Sequence, residues 1–270
     1  MSNPPSLDLS QANALVRLSI LHTQQQVGNV ASTQVALRSL WNRVLDPTDI
    51  AGSYTRFAVG ASYLIHQARS DAMPIATRYF RDSQEIAGYT SRDDDNAPLT
   101  TQNSLEADIT ALYVTGFVTI QKQIAAGAAI DFAERAGQAA MLRSAQRRIL
   151  DAPRQAIIDR SARGKDTIGW ARVGDGHPCY FCAMLISRGP VYSESTVNFR
   201  AHDGCGCGAK MCFRNDPSRG WTDQSRLLRE HYVANKANWR SAYNQAMQDP
   251  ESPVARAMTA VPRADYGLAA

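Results

Sequence analysis

Three features of the sequence predict a mostly α chain with a small α+β C-terminal domain. Apolar residues recur at helical spacing from Leu7 to about Gly164, strand-like and glycine-rich sequence follows, and all five cysteines fall between Cys179 and Cys212. At 270 residues, with 44% hydrophobic and 20% charged residues, the chain can bury a sizeable core and is long enough for two domains. The expected division is a helical N-terminal region over 1–164, a compact cysteine/histidine domain over 165–220, and a C-terminal helix with an irregular tail over 221–270.

Leu37, Leu40, Trp41 and Val44 lie on one helical face, and Asp46 and Pro47 then stop the run. A second helix begins near Ser53, carries Tyr54, Phe57, Ala61 and Leu64, and meets Pro74, which should kink or split it. Ser91 to Pro98 is acidic, contains a proline and reads as a loop. Leu105, Ile109, Leu112, Gly116, Phe117, Ile120 and Ile124 form the next apolar stripe, ended by Gly127. A helix from about Ile130 carries Arg143, Arg147, Arg148, Arg154, Arg160 and Arg163 and should be interrupted at Pro153. Thr167–Val173 has the β-branched and aromatic content of a short strand. Beyond Trp221, Leu228, Tyr232, Trp239, Tyr243 and Met247 share roughly one face of a final helix, with Thr222 or Asp223 as N-cap. Pro250, Pro253 and Pro262 then predict irregular chain.

The net charge is +4, and arginine supplies nearly all of the basic charge, the only lysines being Lys122, Lys165, Lys210 and Lys236. The arginines between 143 and 163 read either as a solvated helix face or as a surface for an acidic partner or nucleic acid. No aromatic residues alternate with them as stacking platforms, so sequence-specific reading of nucleic acid is not supported. No stretch approaches eighteen uninterrupted apolar residues, and the N-terminus lacks the basic and apolar regions of a secretory signal, which predicts a protein made in a cytosol-like compartment without a membrane span.

The cysteines carry the chemistry. Cys179 and Cys182 form a C-x2-C turn, and 19 residues later comes His202-x2-Cys205-x-Cys207. Zinc takes four soft or borderline ligands in a tetrahedron, and two knuckles some twenty residues apart can supply them. The metal candidates are therefore Cys179, Cys182, His202, Cys205 and Cys207. Five donors for four places leave one over: the four thiols are the first set, with His202 either replacing one of the last two or supporting the site from outside. Cys205 and Cys207 would point to opposite sides of an extended strand, unless Gly204, Gly206 and Gly208 let the backbone bend. A cross-linked cluster, a dithiol redox pair at a helix start, or a cysteine nucleophile beside His202 or His177 are the alternatives. The chain has no H-E-x-x-H, no G-x-S-x-G and no glycine-rich phosphate loop opening a helix.

The segments Trp170 to Val173, Pro178 to Tyr192 and His202 to Cys207 together resemble the MuF-like head-morphogenesis proteins of tailed bacteriophages, in the versions found in phages of actinobacteria. The shared order is a tryptophan strand, a C-x2-C turn, an S-R-G-x-V-Y stretch at Ser187 to Tyr192 and an H-x2-C-x-C ending, within roughly residues 140 to 215. The resemblance implies a minor capsid protein of the virion, associated with the portal inside the prohead. It would act in head assembly or DNA delivery, with capsid or scaffold proteins and non-specifically held DNA as further partners. The rival reading is a capsid maturation protease. A protease needs a nucleophile with base and oxyanion site, or a metal with an open position, whereas four or more thiolate and imidazole donors close the coordination sphere. A zinc-stapled domain of structural role is the expectation. Arg188 and Tyr192 of the S-R-G-x-V-Y stretch either contact a partner or serve the fold, Arg188 bonding loop carbonyls and Tyr192 packing on the cluster, with Gly189 permitting the turn.

Overall fold

The computed structural model describes residues 4–90, 105–192 and 199–259. The acidic loop expected from Ser91 to Pro98 lies outside the described residues. The chain is mostly helical, with one small two-stranded sheet.

Helix α1 (Leu9–Val44) starts at a reciprocal cap, in which the Gln11 amide donates to Asp8 and the Asp8 amide donates to the Gln11 side chain. A short connection returns the chain into α2 (Ile50–Ile86), capped by Asp49, whose side chain accepts from the Gly52 amide. α3 (Leu105–Leu112) passes through a π-helical turn (Tyr113–Phe117) into α4 (Val118–Ala125). The π turn has a local cause. The Tyr54 hydroxyl from α2 donates to the Leu112 carbonyl at 2.8 Å, taking an acceptor from the helical ladder, and a side chain at Gly116 would collide with that ring.

α5 (Ile130–Arg163) packs against both α1 and α2. α5 runs without interruption through Pro153, contrary to the expectation from sequence, and of the kink or split expected at Pro74 the split does not occur. Proline removes the amide donor of the carbonyl four residues before it, Ser70 for Pro74 and Ile149 for Pro153, and side chains from neighbouring helices bond other carbonyls of the same turns. Gln26 donates to the Ala72 carbonyl and Asn29 to the Ala68 carbonyl, flanking the turn before Pro74. Arg69 Nε donates to the Arg148 carbonyl before Pro153 at 2.9 Å.

The helical pattern ends at Gly164, and β1 (Thr167–Val173) pairs antiparallel with β2 (Gly208–Phe213), Trp170 opposite Met211 and Val173 opposite Gly208. On its other side β1 meets Tyr192 in a single bridge. α6 (Tyr180–Ile186) lies between the strands in sequence. The final helix expected from the sequence is two: α7 (Asp223–Ala234), capped by Thr222, and α8 (Trp239–Gln248), separated at Asn235, whose side chain bonds back to the His231 carbonyl. The chain beyond Pro250 is not wholly irregular, because Pro253–Thr259 forms α9, with Ser252 accepting from the Ala255 amide as its N-cap. Proline at a first helical position costs no hydrogen bond.

Two apolar clusters fill the molecule. One lies among the helices, with Leu37, Trp41, Tyr54, Phe57, Ile65, Phe117 and Met141. The other joins Leu15, Tyr79, Phe80 and Ile157 of the long helices to Trp170, Cys182, Met211, Leu228, Tyr243 and Met258, so a single core runs across the change from helix to strand at 164–167.

Candidate metal centre

Cys179 is the N-cap of α6 and Cys182 lies one turn into it, so both sulfurs are presented at the start of that helix. His202 and Cys205 come from the tight turn before β2, where the Cys205 amide donates to the His202 carbonyl, and Cys207 immediately precedes the strand. Gly204 adopts φ 81°, and a side chain at Gly206 would collide with the Asp175 carboxylate. These glycines let the backbone bend as their clustering suggested, and the cysteines at 205 and 207 both face Cys182.

The structure brings all five predicted donors together. His202 Nε2 lies 3.1 Å from Cys179 Sγ and 3.4 Å from Cys182 Sγ, and Cys182 Sγ lies 3.5 Å from Cys205 Sγ. They form two triads, Cys179–Cys182–His202 and Cys182–Cys205–Cys207, each with its donor atoms within 4.8 Å of one another and both containing Cys182. A tetrahedral ion with ordinary metal–sulfur and metal–nitrogen bonds needs donor-to-donor edges of about 3.6–3.8 Å, so the spacing and the donor types fit a soft or borderline divalent metal. The cluster could hold a metal ion. Cys212 belongs to neither triad: it is buried in β2 opposite Gly169, and burial pushes its thiol up to about 11. His177 is exposed and also stands outside.

The electrostatics follow from crowding. A hydrogen bond from Cys182, then backbone amides at the start of α6 and the charge of His202, bring Cys179 down to about 5. Bonds to Cys182 and Cys207, with the charges of Arg154 and Arg172 nearby, also lower Cys205. Cys182, which serves Cys179, Cys205 and Cys207 together, is driven upward. Several thiols this close cannot all ionise unless a cation joins them. Burial opposes protonation of His202, but the Asp203 backbone and the thiolates of Cys179 and Cys205 raise its pKa. With His202 Nδ1 2.9 Å from the Asp203 carbonyl, Nε2 is the nitrogen turned to the sulfurs.

Residues that the sequence did not assign to the site hold this arrangement. Arg154, 3% exposed, donates to the carbonyls of Cys207 and Cys205 at 2.9 and 2.7 Å. Its guanidinium and that of Arg172 lie over Phe199, 4.7 and 3.6 Å from the ring centre. Gln146 donates to the Gly204 carbonyl, and Arg147 pairs with Asp203 at 3.1 Å. From the other side, Tyr243 donates to the Pro178 carbonyl at 2.6 Å and Trp239 to the Tyr180 carbonyl at 2.8 Å. The arginines of α5 are thus largely directed inward: Arg148 pairs with Asp108, Arg154 and Arg147 brace the cysteine loop, and Arg160 lies 3.7 Å from Asp166. A uniformly solvated face is ruled out for them.

Tyr192 stacks on Trp170, with ring centres 4.3 Å apart, and packs against the apolar core that includes Cys182, Cys205 and Cys207. Gly189 has φ 67° with the Trp221 ring against it, as its turn role requires. Arg188 is exposed, and no hydrogen bond to a loop carbonyl engages it among the described residues.

A family model described as VG15 protein matches residues 14–253. The chain belongs to the VG15 protein family. This is a family of viral proteins, and the match runs from the first long helix through both knuckles to the start of α9. No curated protein and no solved structure matches the chain. No helix among the described residues is long and apolar enough to cross a membrane.

Proposed function

We propose that this VG15 protein is a minor head protein of a tailed bacteriophage, placed near the portal on the inside of the prohead, and that its cysteine cluster binds one zinc ion as a structural staple. The observation that carries the reading is the walled character of the cluster. Donors from both knuckles meet within 3.1–3.5 Å, and Arg154, Tyr243 and Trp239 tie the backbone around them. Ligands so braced saturate an ion and cross-link the chain, which is the work of a structural metal. The viral family and the MuF-like order of motifs support the setting, with portal, capsid or scaffold proteins as partners.

Zinc, when bound, would supply only cross-linking charge. Cys182 is the donor the two triads share, and the four places are filled from Cys179, Cys182, His202, Cys205 and Cys207. Metal analysis of the purified chain should give about one zinc per molecule, released by a thiol-reactive mercurial. A folded, metal-free chain overturns the staple. Proheads purified after co-expression with portal, scaffold and capsid proteins should contain the chain, and should lose it when the portal is omitted; retention without portal counts against the portal-proximal placement.

One observation favours a second reading. Cys179 is half-buried, 3.1 Å from His202, with its thiol held down to about 5, which is the chemistry of a cysteine nucleophile. On that reading the protein is the capsid maturation protease. Mass spectrometry of scaffold and capsid proteins after co-expression separates the two. Processing abolished by Cys179→Ala, with zinc content unchanged, selects the protease.

A further inference from the structure

We infer that the surface around Trp221 binds the phosphate backbone of duplex nucleic acid. Arg226 and Arg229, one turn apart on α7, place their guanidinium centres 5.6 and 5.4 Å from the Trp221 ring centre. Both are exposed, and so are Arg219, two residues before the tryptophan, and Arg188, whose neighbour Gly189 lies directly against the same ring. None of the four takes part in an ion pair among the described residues. The nearby carboxylate is already used: Asp216 accepts from the amides of Ser218 and Gly220, closing the turn that carries Arg219. Asp223 and Glu230 are the acids of α7 itself, and neither is paired with these arginines among the described residues.

The turn is strained where it presents a charge. Arg219 has φ 51°, the only non-glycine residue in the left-handed region among the described residues. A long cationic side chain held at such a position points to a role outside the fold's own packing. The two stacked guanidiniums have lost part of their rotamer freedom to Trp221, which lowers the cost of ordering them on a ligand.

The chemistry favours a nucleic-acid backbone over an acidic protein. A carboxylate side chain forks with one arginine, whereas a continuous polyanion can engage four at once, and arginine forks match phosphate. The Trp221 ring is covered by Arg226, Arg229 and Gly189, so it is not a free platform for a base, and the contact would be insensitive to sequence. This surface lies on α7 and its leading turn, and is distinct from Arg147, Arg148 and Arg154 of α5, which are engaged within the fold.

The test is fluorescence anisotropy of a labelled 30-base-pair duplex with the full chain over a salt series, run beside labelled polyglutamate. Wild type should lose affinity with salt at a log–log slope of about −3.6 if four phosphates are neutralised. R226A/R229A should reduce the slope by about 1.8, while R226K/R229K should keep it. R78A/R81A, which removes two exposed arginines of α2 instead, should leave it unchanged. Circular dichroism melts establish that each variant is folded. Equal slopes for R226A/R229A and R78A/R81A overturn the proposal, as does tight binding to polyglutamate with none to DNA, which would mark an acidic protein partner.

Discussion

The helical end and the cysteine end of this protein solve the same problem with different materials. Among the helices, long elements supply whole faces of large side chains: Leu37, Tyr54, Phe57, Ile65 and Ile120 are completely buried. Each such residue contributes about 1.5–3 kcal/mol from burial alone, so that end needs no cross-link. At the cysteine end the elements are short, α6 and β2 having seven and six residues, and the chain between 199 and 207 has no regular structure. Its inner surface is built partly of sulfur. The difference teaches where an added staple is required: where the elements are too short to bury their own backbone turns.

Metal removal tests this contrast most severely. If the proposed zinc closes the cluster, stripping it or making Cys182→Ser should abolish amide-exchange protection in β1 and β2 and the near-ultraviolet signal of Trp170. α2 between Tyr54 and Ile65 should stay protected. Uniform collapse of both ends would show that they fold as one unit and would erase the distinction.

The helical end has its own weak point. Arg69 is fully buried and forks onto Asp108 with two bonds of 2.6 Å, and Arg148 reaches the same carboxylate. Asp108→Ala would leave two guanidiniums without their counter-ion in the core, an expected loss of about 3–5 kcal/mol in urea unfolding. Replacing all three, Arg69→Met and Arg148→Met with Asp108→Leu, should recover most of it, because what costs is the unpaired charge and not the lost pairs. A single-variant loss under 1 kcal/mol would mean that water reaches the site.

Arg154→Met asks whether the cysteine end depends on its braces as well as on its donors. The variant keeps the aliphatic stem but leaves the carbonyls of Cys205 and Cys207 without their donor, at an expected cost of about 2–3 kcal/mol. Zinc affinity should fall roughly 10–100-fold with it. Unchanged affinity would reduce Arg154 to a packing residue.

Much of this was legible in the sequence. The apolar spacing of Leu37 to Val44 and of Leu105 to Ile124 locates helices that exist, the β-branched run at Thr167 locates β1, and the two knuckles locate the donors. The misreadings share a cause. Pro74 and Pro153 looked like breaks because the groups that hold those turns in place, Gln26 and Asn29 for the one and Arg69 for the other, come from helices far away in sequence. Arg148 and Arg154 looked like members of a charged face because Asp108 and the cysteine carbonyls belong to other elements. Pro253 looked like a breaker, although the serine before it makes it a helix start. Local pattern records periodicity and caps; it does not record which distant group satisfies a buried charge or carbonyl.

The smallest effect concerns how the long helices meet the cysteine end. His22 of α1 is 4% exposed and stacks on Tyr79 with ring centres 4.6 Å apart. Burial lowers its pKa from the ordinary 6.5 to about 3. It is therefore neutral in the folded chain at pH values where the unfolded chain would protonate it. Its contribution to stability is fully present above pH 6.5 and is lost as the pH falls from there toward 3. Between pH 7 and pH 5 the urea midpoint should drop by the equivalent of about 2 kcal/mol, and His22→Phe, which keeps the stack without the proton, should remove that part of the slope. An identical slope in the variant would place the acid sensitivity elsewhere. A slope removed by the variant would show that the seam between the two ends rests on an uncharged ring in the first helix as well as on the cysteines.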